Sequence, residues 1–409
     1  MKTHENVRLG LKENGLQFTL LVIISFFVGS MVGLERTVLP LLGEKVFGLA
    51  SASATLSFIV SFGFSKAIMN LFAGRIAERI GRKKVLLIGW TIGIFVPIII
   101  LQADLWLWVI IANILLGINQ GLTWSMTVNM KVDLVNAKQR GIAVGLNECA
   151  GYVGLSVIAF LSGYLASNLG LRPYPMYIGI LVALIGIMLS LFTKDTGKNL
   201  GIQLKKQHSD SKLSLKQVFQ KTTWQDKTLS SCSLAGLTTN LKDGMIWGLL
   251  AIFLSREGLS LQQTAVIVAV YPAAWGFLQL FSGALSDRIG RKWLIIFGMI
   301  IQAIAIWSLL IFQGFSMWIL DACMLGLGTA LVYPTLQAAI SDVAAPEWRA
   351  SSLGVYRFWR DSGYAIGALI SGIITDLLNV EFAIGLVAML PLIVGVTAAF
   401  RMKETLLTH

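Results

Sequence analysis

A short, strongly basic motif occurs twice in this sequence, and each copy lies between two long apolar runs. The first copy reads GRIAERIGRK at residues 74–83 and the second reads GALSDRIGRK at residues 283–292, so equivalent positions are 209 apart. We call these segments the first and second hairpin motifs. A charged motif that occurs twice at a large, fixed spacing indicates that the chain consists of two similar halves. Because the flanking runs are apolar, the repeat predicts a duplicated membrane protein, with a transporter as the leading interpretation.

The composition indicates that lipid surrounds much of the chain. Hydrophobic residues make up 56% and charged residues only 13%, with a mean hydropathy of +0.74, whereas soluble domains carry about 25% charged residues. The net charge of +12 lies in short segments between apolar runs, so we expect no nucleic-acid partner. Cys149, Cys232 and Cys323 lack the spacing of a metal or redox site, and no nucleotide-binding or nucleophile motif occurs. We therefore expect no cofactor, no metal and no enzymatic activity.

Apolar runs long enough to cross a bilayer occur twelve times. About 20 helical residues, at roughly 1.5 Å per residue, span about 30 Å of hydrocarbon. We predict an all-α membrane protein whose twelve transmembrane helices form two pseudo-symmetric six-helix bundles. The predicted spans are residues 17–43, 52–76, 84–103, 106–130, 141–168, 174–194, 229–255, 263–285, 293–313, 315–338, 351–378 and 382–400.

Lys and Arg residues are concentrated in alternate short loops, including both hairpin motifs. Such loops face the cytoplasm, so both termini are predicted to be cytoplasmic. The predicted domains are an N-terminal bundle at residues 1–194, a cytoplasmic linker at 195–228 and a C-terminal bundle at 229–409. The linker is interpreted as a flexible tether that ends in a short amphipathic helix. A regulatory role for the linker stays open.

With the twelve spans and the linker, the two hairpin motifs resemble the signature loops of the major facilitator superfamily. The resemblance covers the whole chain, and the first motif departs from the family only slightly, with Glu78 where Asp is usual. It implies two bundles that move about a central substrate path. The same spacing of 209 relates further residues, in the pairs Asp133 and Asp342, Arg140 and Arg349, Gly145 and Gly354, Gly154 and Gly363, and Ser162-Gly163 and Ser371-Gly372.

The resemblance also implies gates at the hairpin motifs. An acidic residue at the end of the second or eighth span would cap a helix of the opposite half, so that Glu78 contacts the eleventh span and Asp287 the fifth. The Arg near the end of each motif would pair with the Asp after the fourth or tenth span. The expected gating residues are Gly74, Glu78, Gly81, Arg82 and Asp133 in the first half and Gly283, Asp287, Gly290, Arg291 and Asp342 in the second.

Ionisable side chains occur inside several predicted spans, where each costs roughly 2.5 to 3.5 kcal/mol on insertion. Basic residues outnumber acidic ones among them, and Glu148 in one half is 209 positions from Arg357 in the other. A positive cavity favours an anionic or zwitterionic substrate, because a guanidinium offers a fork of donors to a carboxylate or phosphate. The expected substrate-binding residues are Arg36, Lys66, Asn147, Lys242, Trp275, Tyr356, Arg357, Arg360 and Tyr364.

No His lies inside a predicted span, so proton coupling would have to use carboxylates. Burial and a nearby Arg act in opposite directions on such a group, so protonation and substrate binding compete. The alternative is that these charges form satisfied ion pairs that only hold the halves together. The expected proton-coupling residues are Glu35, Glu148, Asp243 and Asp361.

These observations predict a secondary active transporter that moves a small organic anion or zwitterion by alternating access with proton coupling. The hairpin motifs favour export slightly, whereas Gly117, in place of the Arg of multidrug antiporters, argues against classical multidrug export. A proton-coupled importer of a small solute stays open, as does a non-transporting receptor with the same fold. The expected partners are the substrate, protons and membrane lipids. We expect a monomer in the plasma (inner) membrane of a bacterium.

Overall fold

The computed structural model describes residues 9–135, 139–197 and 213–406. These residues contain thirteen α-helices and one π-helical turn, Lys221–Gln225. The first six helices are α1 (Gly15–Lys45), α2 (Ala52–Ile80), α3 (Arg82–Gln102), α4 (Trp106–Leu134), α5 (Arg140–Leu169) and α6 (Tyr174–Leu191). The others are α7 (Leu215–Gln220), α8 (Lys227–Arg256), α9 (Leu261–Ile289), α10 (Lys292–Ile311), α11 (Phe315–Val343), α12 (Pro346–Leu377) and α13 (Val380–Arg401).

The twelve long helices coincide with the twelve predicted spans, which confirms the predicted fold class. Ten of them, within the described residues, are long and apolar enough to cross a membrane. The other two, α8 and α12, carry the central charges of the C-terminal half, and each is largely covered by neighbouring helices. A charged helix is tolerated in a membrane protein when other helices separate it from lipid. The chain is therefore an integral membrane protein.

Each hairpin motif breaks the helix at an equivalent glycine. Gly81 has φ +93° between α2 and α3, and Gly290 has φ +99° between α9 and α10. Glycine adopts such angles at little cost, whereas other residues are strained there. We call the end of the molecule that carries both motifs the hairpin end, and the other the opposite end. The two bundles are thus turned in the same way at the hairpin end.

The end of the predicted linker packs on the C-terminal half. Residues 198–212 of the linker lie outside the described residues, so the predicted domain limits stay a prediction. Helix α7 begins with a capping box at Ser214 and buries Val218. In the π-helical turn that follows, Thr223 Oγ1 accepts a hydrogen bond from Trp359 Nε1 of α12 at 3.1 Å. This part of the linker is therefore attached to the helix that carries Arg357 and Arg360.

Candidate functional site

A deep crevice separates the two halves and opens at the hairpin end. Both hairpin motifs line its mouth, and Asn70, Ser125, Glu148, Gln337 and Arg357 lie at its inner limit. These five residues also line a small cavity of about 10 Å³, which we call the apex cavity. Its complete lining is Lys66, Asn70, Trp124, Ser125, Glu148, Gln337, Arg357 and Arg360. The apex cavity therefore joins side chains from α2, α4 and α5 with side chains from α11 and α12.

Aromatic and charged contacts between the halves close the opposite end. Arg36 of α1 lies over the ring of Trp247 of α8, 4.6 Å from its centroid. Phe62 of α2 packs on the same Trp247 at a centroid distance of 5.0 Å. Nearer the end, Glu44 and Arg256 form an ion pair at 3.6 Å. Arg36, predicted to bind substrate, thus belongs to the closed region in this state.

Two of the predicted cations point into the apex cavity without a carboxylate partner. Lys66 is the central residue of the 29-residue helix α2, and its Nζ lies 5.3 Å from the Tyr364 ring and 5.6 Å from the Trp124 ring. Arg357 lines the same cavity from α12. Throughout the described residues, neither cation has a carboxylate oxygen within 4.0 Å. Two cations without an ion-pair partner among the described residues therefore line the apex cavity.

Arg360 differs from these two because its charge is paired. Its Nη2 lies 2.7 Å from Asp361 Oδ1, and its guanidinium lies over the Tyr333 ring at 4.9 Å. Asp361 also accepts hydrogen bonds from the amides of Asn240, at 3.3 Å, and of Asn70. Because Asn70 belongs to α2, this carboxylate connects the two halves at the level of the apex cavity.

Glu148 uses only one of its two carboxylate oxygens. Oε1 accepts hydrogen bonds from Trp124 Nε1 at 2.9 Å and from Asn147 Nδ2 at 3.2 Å. Oε2 is buried and has no hydrogen-bond partner among the described residues. Behind Asn147 lies Lys131, whose Nζ is 2.6 Å from Ser25 Oγ and 2.7 Å from Asn147 Oδ1. The sequence analysis missed Lys131, because it placed the end of the fourth span one residue earlier.

Lys242 and Asp243 form a closed polar cluster inside the C-terminal half. Both side chains are fully buried, with Lys242 Nζ 2.6 Å from Asp243 Oδ1. Lys242 Nζ also lies 2.9 Å from Thr329 Oγ1, and the Tyr271 hydroxyl donates to Asp243. Neither residue lines the apex cavity. Their predicted roles in substrate binding and proton coupling stay predictions, and in this state they are separated from the crevice.

Glu35 is the other buried carboxyl group of interest. Its side chain has no exposed surface, and neither oxygen has a hydrogen-bond partner within 3.5 Å among the described residues. Asn113 of α4 is the polar side chain that interacts with it. Glu35 therefore lies inside the N-terminal bundle, between α1 and α4, and away from the apex cavity.

Three predicted aromatic residues are buried beside the cavity. The Trp275 ring lies 3.7 Å from the Tyr152 ring across the contact between α9 and α5. Tyr364 packs on Phe62 at 5.8 Å, and Tyr356 belongs to an apolar cluster of the C-terminal half. None of Trp275, Tyr356 and Tyr364 lines the apex cavity in this state, so their contact with substrate stays a prediction.

At the hairpin end, equivalent ion pairs occur in the two halves. Arg82 Nη1 lies 2.6 Å from Asp133 Oδ2, and Arg291 Nε lies 3.2 Å from Asp342 Oδ2. Arg291 also contacts Asp287 at 2.6 Å. Asp287 and its counterpart in the first motif are exposed and line the crevice. The predicted contacts of these two acids with the opposite half require a state that is closed at this end.

A further pair of acids caps the helices that follow the hairpin motifs. Asp195 Oδ2 accepts a hydrogen bond from the backbone N–H of Lys83 at 3.0 Å. Glu404 accepts from the backbone N–H groups of Arg291 at 2.7 Å and Lys292 at 3.1 Å. Burial works against the charged form of Glu404, yet the backbone N–H groups of Leu406, Arg291 and Lys292 outweigh it and hold the pKa of this carboxyl below its usual value.

Each capping acid is followed by a threonine that donates a hydrogen bond to the aspartate predicted to be a gating residue. Thr196 Oγ1 donates to Asp133 Oδ2 at 2.7 Å, and Thr405 Oγ1 donates to Asp342 Oδ2 at 3.1 Å. The sequence contains KDT at 194–196 and KET at 403–405, again 209 apart. The matches at a spacing of 209 given above end at Ser162-Gly163 and Ser371-Gly372. Comparing the two halves beyond that point would have identified these residues from the sequence. Each Arg–Asp ion pair at the hairpin end therefore includes a contact with the segment that follows the sixth or the last long helix.

Asp376 forms the main polar contact between the halves at the opposite end. Its carboxylate accepts from the N–H groups of Ala52 at 2.6 Å and Ser53 at 3.0 Å and from Ser51 Oγ at 2.7 Å. Ser53 Oγ is a fourth donor. Asp376 thus caps the positive N-terminus of α2 from the end of α12. This contact is specific to the state that is closed at the opposite end.

We expect Asp376→Asn to shift the equilibrium toward opening at the opposite end by roughly tenfold, since a lost helix cap costs about 1 to 2 kcal/mol. Spin labels at the exposed Leu105 and Leu378 report the distance between the halves there, and the longer distance should gain population. Ser167→Ala is the matched control, because Ser167 lies 209 positions before Asp376 and α9 has its own capping box at Ser260. Equal distance distributions in both variants would show that Asp376 does not stabilise the closed opposite end.

Known proteins resemble this chain over between a third and nearly all of its length. The profile described as Major Facilitator Superfamily matches residues 18–241 and 232–406. Multidrug resistance protein 2 of Bacillus subtilis (strain 168) is 24% identical over 410 residues, which cover 95% of this chain and 96% of that protein. Quinolone resistance protein NorA of Staphylococcus aureus is 24% identical over 133 residues, or 32% of this chain, so the match spans about a third (34%) of NorA. The crystal structure of a mutant of the nucleoside transporter NupG has the same fold, with a TM-score of 0.73 at 14% identity over 95% of this chain and 100% of that one.

Proposed function

Because the chain belongs to the major facilitator superfamily and is thus a membrane transporter and not an enzyme, we propose that it exchanges a small organic anion or zwitterion for protons by alternating access. The observation that carries this proposal is the pair of cations Lys66 and Arg357, which line the apex cavity with Glu148 and, among the described residues, have no carboxylate oxygen within 4.0 Å. The substrate would bind between the two halves at this cavity.

The charges around the apex cavity favour an anionic group. Three cations, Lys66, Arg357 and Arg360, stand against two carboxylates, Glu148 and Asp361. Burying a cation without a partner costs several kcal/mol. A bound carboxylate or phosphate offsets part of this cost, because it forms the ion pair that the cation lacks in the empty protein. The Arg357 guanidinium provides two parallel donors for such a group, and Lys66 adds a compact charge. A zwitterion would in addition place its ammonium near Glu148.

Glu148 and Glu35 are the carboxylates best suited to carry protons. Each has at least one buried oxygen without a hydrogen-bond partner among the described residues, so a proton can bind without displacing a donor. Asp361 and Asp243 are instead held by Arg360 and Lys242 at 2.7 and 2.6 Å, so a proton could bind only by disturbing an ion pair. Protonation of Glu148 leaves more positive charge in the apex cavity, which strengthens the binding of an anion, whereas the ammonium of a zwitterion near Glu148 competes with the proton. Exchange for protons therefore depends on this competition, in which the ammonium of the substrate replaces the proton at Glu148.

In this proposal the hairpin end lies in the cytoplasm, and the structure is the inward-facing state of a monomer in the lipid bilayer. The N-terminal bundle (1–194) and the C-terminal bundle (229–409) rock about the apex cavity, joined by the linker at 195–228. In the outward-facing state, Glu78 contacts α12 and Asp287 contacts α5, which closes the crevice. Export is preferred over uptake because two relatives, Quinolone resistance protein NorA and Multidrug resistance protein 2, are named for drug resistance.

Proteoliposomes with a clamped membrane potential test the proposal. A panel of labelled organic anions, zwitterions and cations is offered under opposite pH gradients. We expect an acidic lumen to drive accumulation of an anion or zwitterion, because protons leave the vesicle as the substrate enters. Glu148→Gln should abolish this accumulation while counterflow at equal pH persists, since a glutamine cannot release a proton.

Each component of the proposal has its own contradicting result. Accumulation driven by an alkaline lumen would indicate a proton symporter that takes up its substrate. Counterflow of cations alone would contradict the anionic substrate, and binding without any flux would indicate a receptor. Asp104→Asn, at the exposed turn between α3 and α4, is the control for removal of an acid outside the site.

A further inference from the structure

Lys131 is enclosed in the N-terminal bundle without a carboxylate in contact. Its side chain has no exposed surface, and its Nζ contacts Ser25 Oγ on α1 and Asn147 Oδ1 on α5. Among the described residues it forms no ion pair within 4.0 Å. An ammonium ion in such a position costs several kcal/mol. Its presence therefore calls for a role beyond packing.

The equivalent position in the C-terminal half is apolar. Residue 340, which is 209 positions after Lys131, is Ile, and Tyr356 is equivalent to Asn147. On the first helix of each half, the spacing of 207 that relates Glu35 to Lys242 relates Ser25 to Cys232. Ile340, Tyr356 and Cys232 are buried in one apolar cluster. The same helix packing therefore forms without a charge, and Lys131 is not required by the fold itself.

Lys131 determines which way the Asn147 amide faces. An ammonium group has only donors, so the atom of Asn147 that lies 2.7 Å from it has to be the amide oxygen. Ser25 Oγ lies 2.9 Å from the same oxygen. The amide nitrogen is consequently directed to Glu148 Oε1, at 3.2 Å. Without Lys131, the amide could turn and present its oxygen to the carboxylate.

We propose that Lys131 is a positioning residue for proton exchange at Glu148, which it controls through Asn147. Donors from Asn147 and Trp124 occupy Oε1, so only Oε2 is left to take the proton. The inference rests on the proposed role of Glu148 as a proton carrier.

The other charged groups around Glu148 all lie on the cavity side. Lys66 of α2 and Arg357 and Arg360 of α12 line the apex cavity with it, whereas Lys131 of α4 acts from within the bundle. The substrate can neutralise the cavity cations but does not reach Lys131. The orientation that Lys131 gives to the Asn147 amide, and through it the donor to Glu148, is therefore independent of the substrate.

Lys131→Ile, which copies the residue of the other half, tests the inference in the full-length protein in proteoliposomes. For an antiporter, equilibrium exchange falls as the pH drops and Glu148 takes up its proton. We expect the pH of half-maximal exchange to rise by about one unit in Lys131→Ile, while exchange at high pH stays near the wild-type rate. An unchanged midpoint would overturn the inference.

Asn147→Asp separates positioning from packing. An aspartate at 147 keeps a partner for Lys131, so the buried charge is satisfied, but it removes the donor to Glu148 and adds a negative charge. We expect the same upward shift of the midpoint, and a midpoint that stays in place would overturn the inference even if Lys131→Ile does not fold. The proposed function fails separately, if Glu148→Gln keeps proton-driven accumulation and the wild-type pH profile.

Discussion

Arg357→Gln is expected to lower the rate of anion counterflow by roughly 100-fold. Removal of one partner from a buried, hydrogen-bonded charge pair costs about 2 to 5 kcal/mol, and about 2.7 kcal/mol corresponds to a factor of 100. Arg357 lines the apex cavity without a carboxylate partner in the described structure, so its charge is available to the substrate. Glutamine keeps most of the side-chain length, which limits the effect on packing. Initial rates in proteoliposomes measure the change.

Two further variants make this expectation specific. Arg357→Lys keeps the charge but loses the planar fork of donors, so we expect an intermediate loss. Arg256→Gln removes a guanidinium from an exposed ion pair with Glu44 at the opposite end and should transport at nearly the wild-type rate. Anion counterflow within threefold of wild type in Arg357→Gln would show that the substrate does not bind this guanidinium.

The fold could be predicted from the sequence because a bilayer admits few alternatives. Backbone N–H and C=O groups have to be satisfied within the lipid, so long apolar runs form helices. The predicted span 263–285 corresponds to α9 (Leu261–Ile289), and 351–378 corresponds to α12 (Pro346–Leu377). The repeat then relates the two bundles. The helical spans and the relation between the bundles both follow from local composition and residue spacing, and the sequence alone provides these.

The ends of the spans were predicted less well, and this hid Lys131. The fourth span was predicted to end at residue 130, where the apolar run stops, but α4 continues to Leu134. A charged residue ends an apolar run without ending the helix, because Lys131 and Asp133 find partners inside the bundle. Hydropathy therefore locates the end of the apolar run, whereas the α-helix itself continues for a further turn.

The site could be predicted only as a set of residues. Sequence placed Glu148 and Arg357 in facing halves, and both line the apex cavity. It could not tell that Lys242 faces inward to Asp243 and Tyr271 while Lys66 faces the crevice. In a helix that is apolar on all sides, periodicity gives little information on which face meets the partner helix. Which way each charged side chain points depends on how the helices pack against each other.

The ion pair of the first hairpin motif is expected to stabilise the protein more than that of the second. Asp133→Asn should lower the free energy of unfolding by about 3 to 5 kcal/mol, since it leaves a buried Arg82 without a full negative partner. The exposed fractions of the two side chains are 10% for Arg82 and 3% for Asp133. Thermal unfolding in detergent, followed by the loss of monomeric protein, measures the difference from wild type.

Asp342→Asn is the matched variant in the second half, and we expect a loss of about 1 kcal/mol or less. Asp342 is 30% exposed, so water replaces part of the interaction. Arg291 in addition keeps its contact with Asp287 at 2.6 Å. Two motifs that share six of ten residues are thus expected to differ in energy, because burial and the number of partners set the strength of each pair.

The comparison also separates stability from gating. If both aspartates served only as latches that open and close with the transport cycle, neutralising either one would change the populations of the two states to a similar extent. A large loss of stability confined to Asp133→Asn would instead indicate that Arg82 and Asp133 hold the N-terminal bundle together in every state, whereas Arg291 and its two acids, Asp287 and Asp342, are free to exchange partners. Equal losses of stability in the two variants would contradict this division, since the difference in burial would then have no energetic consequence.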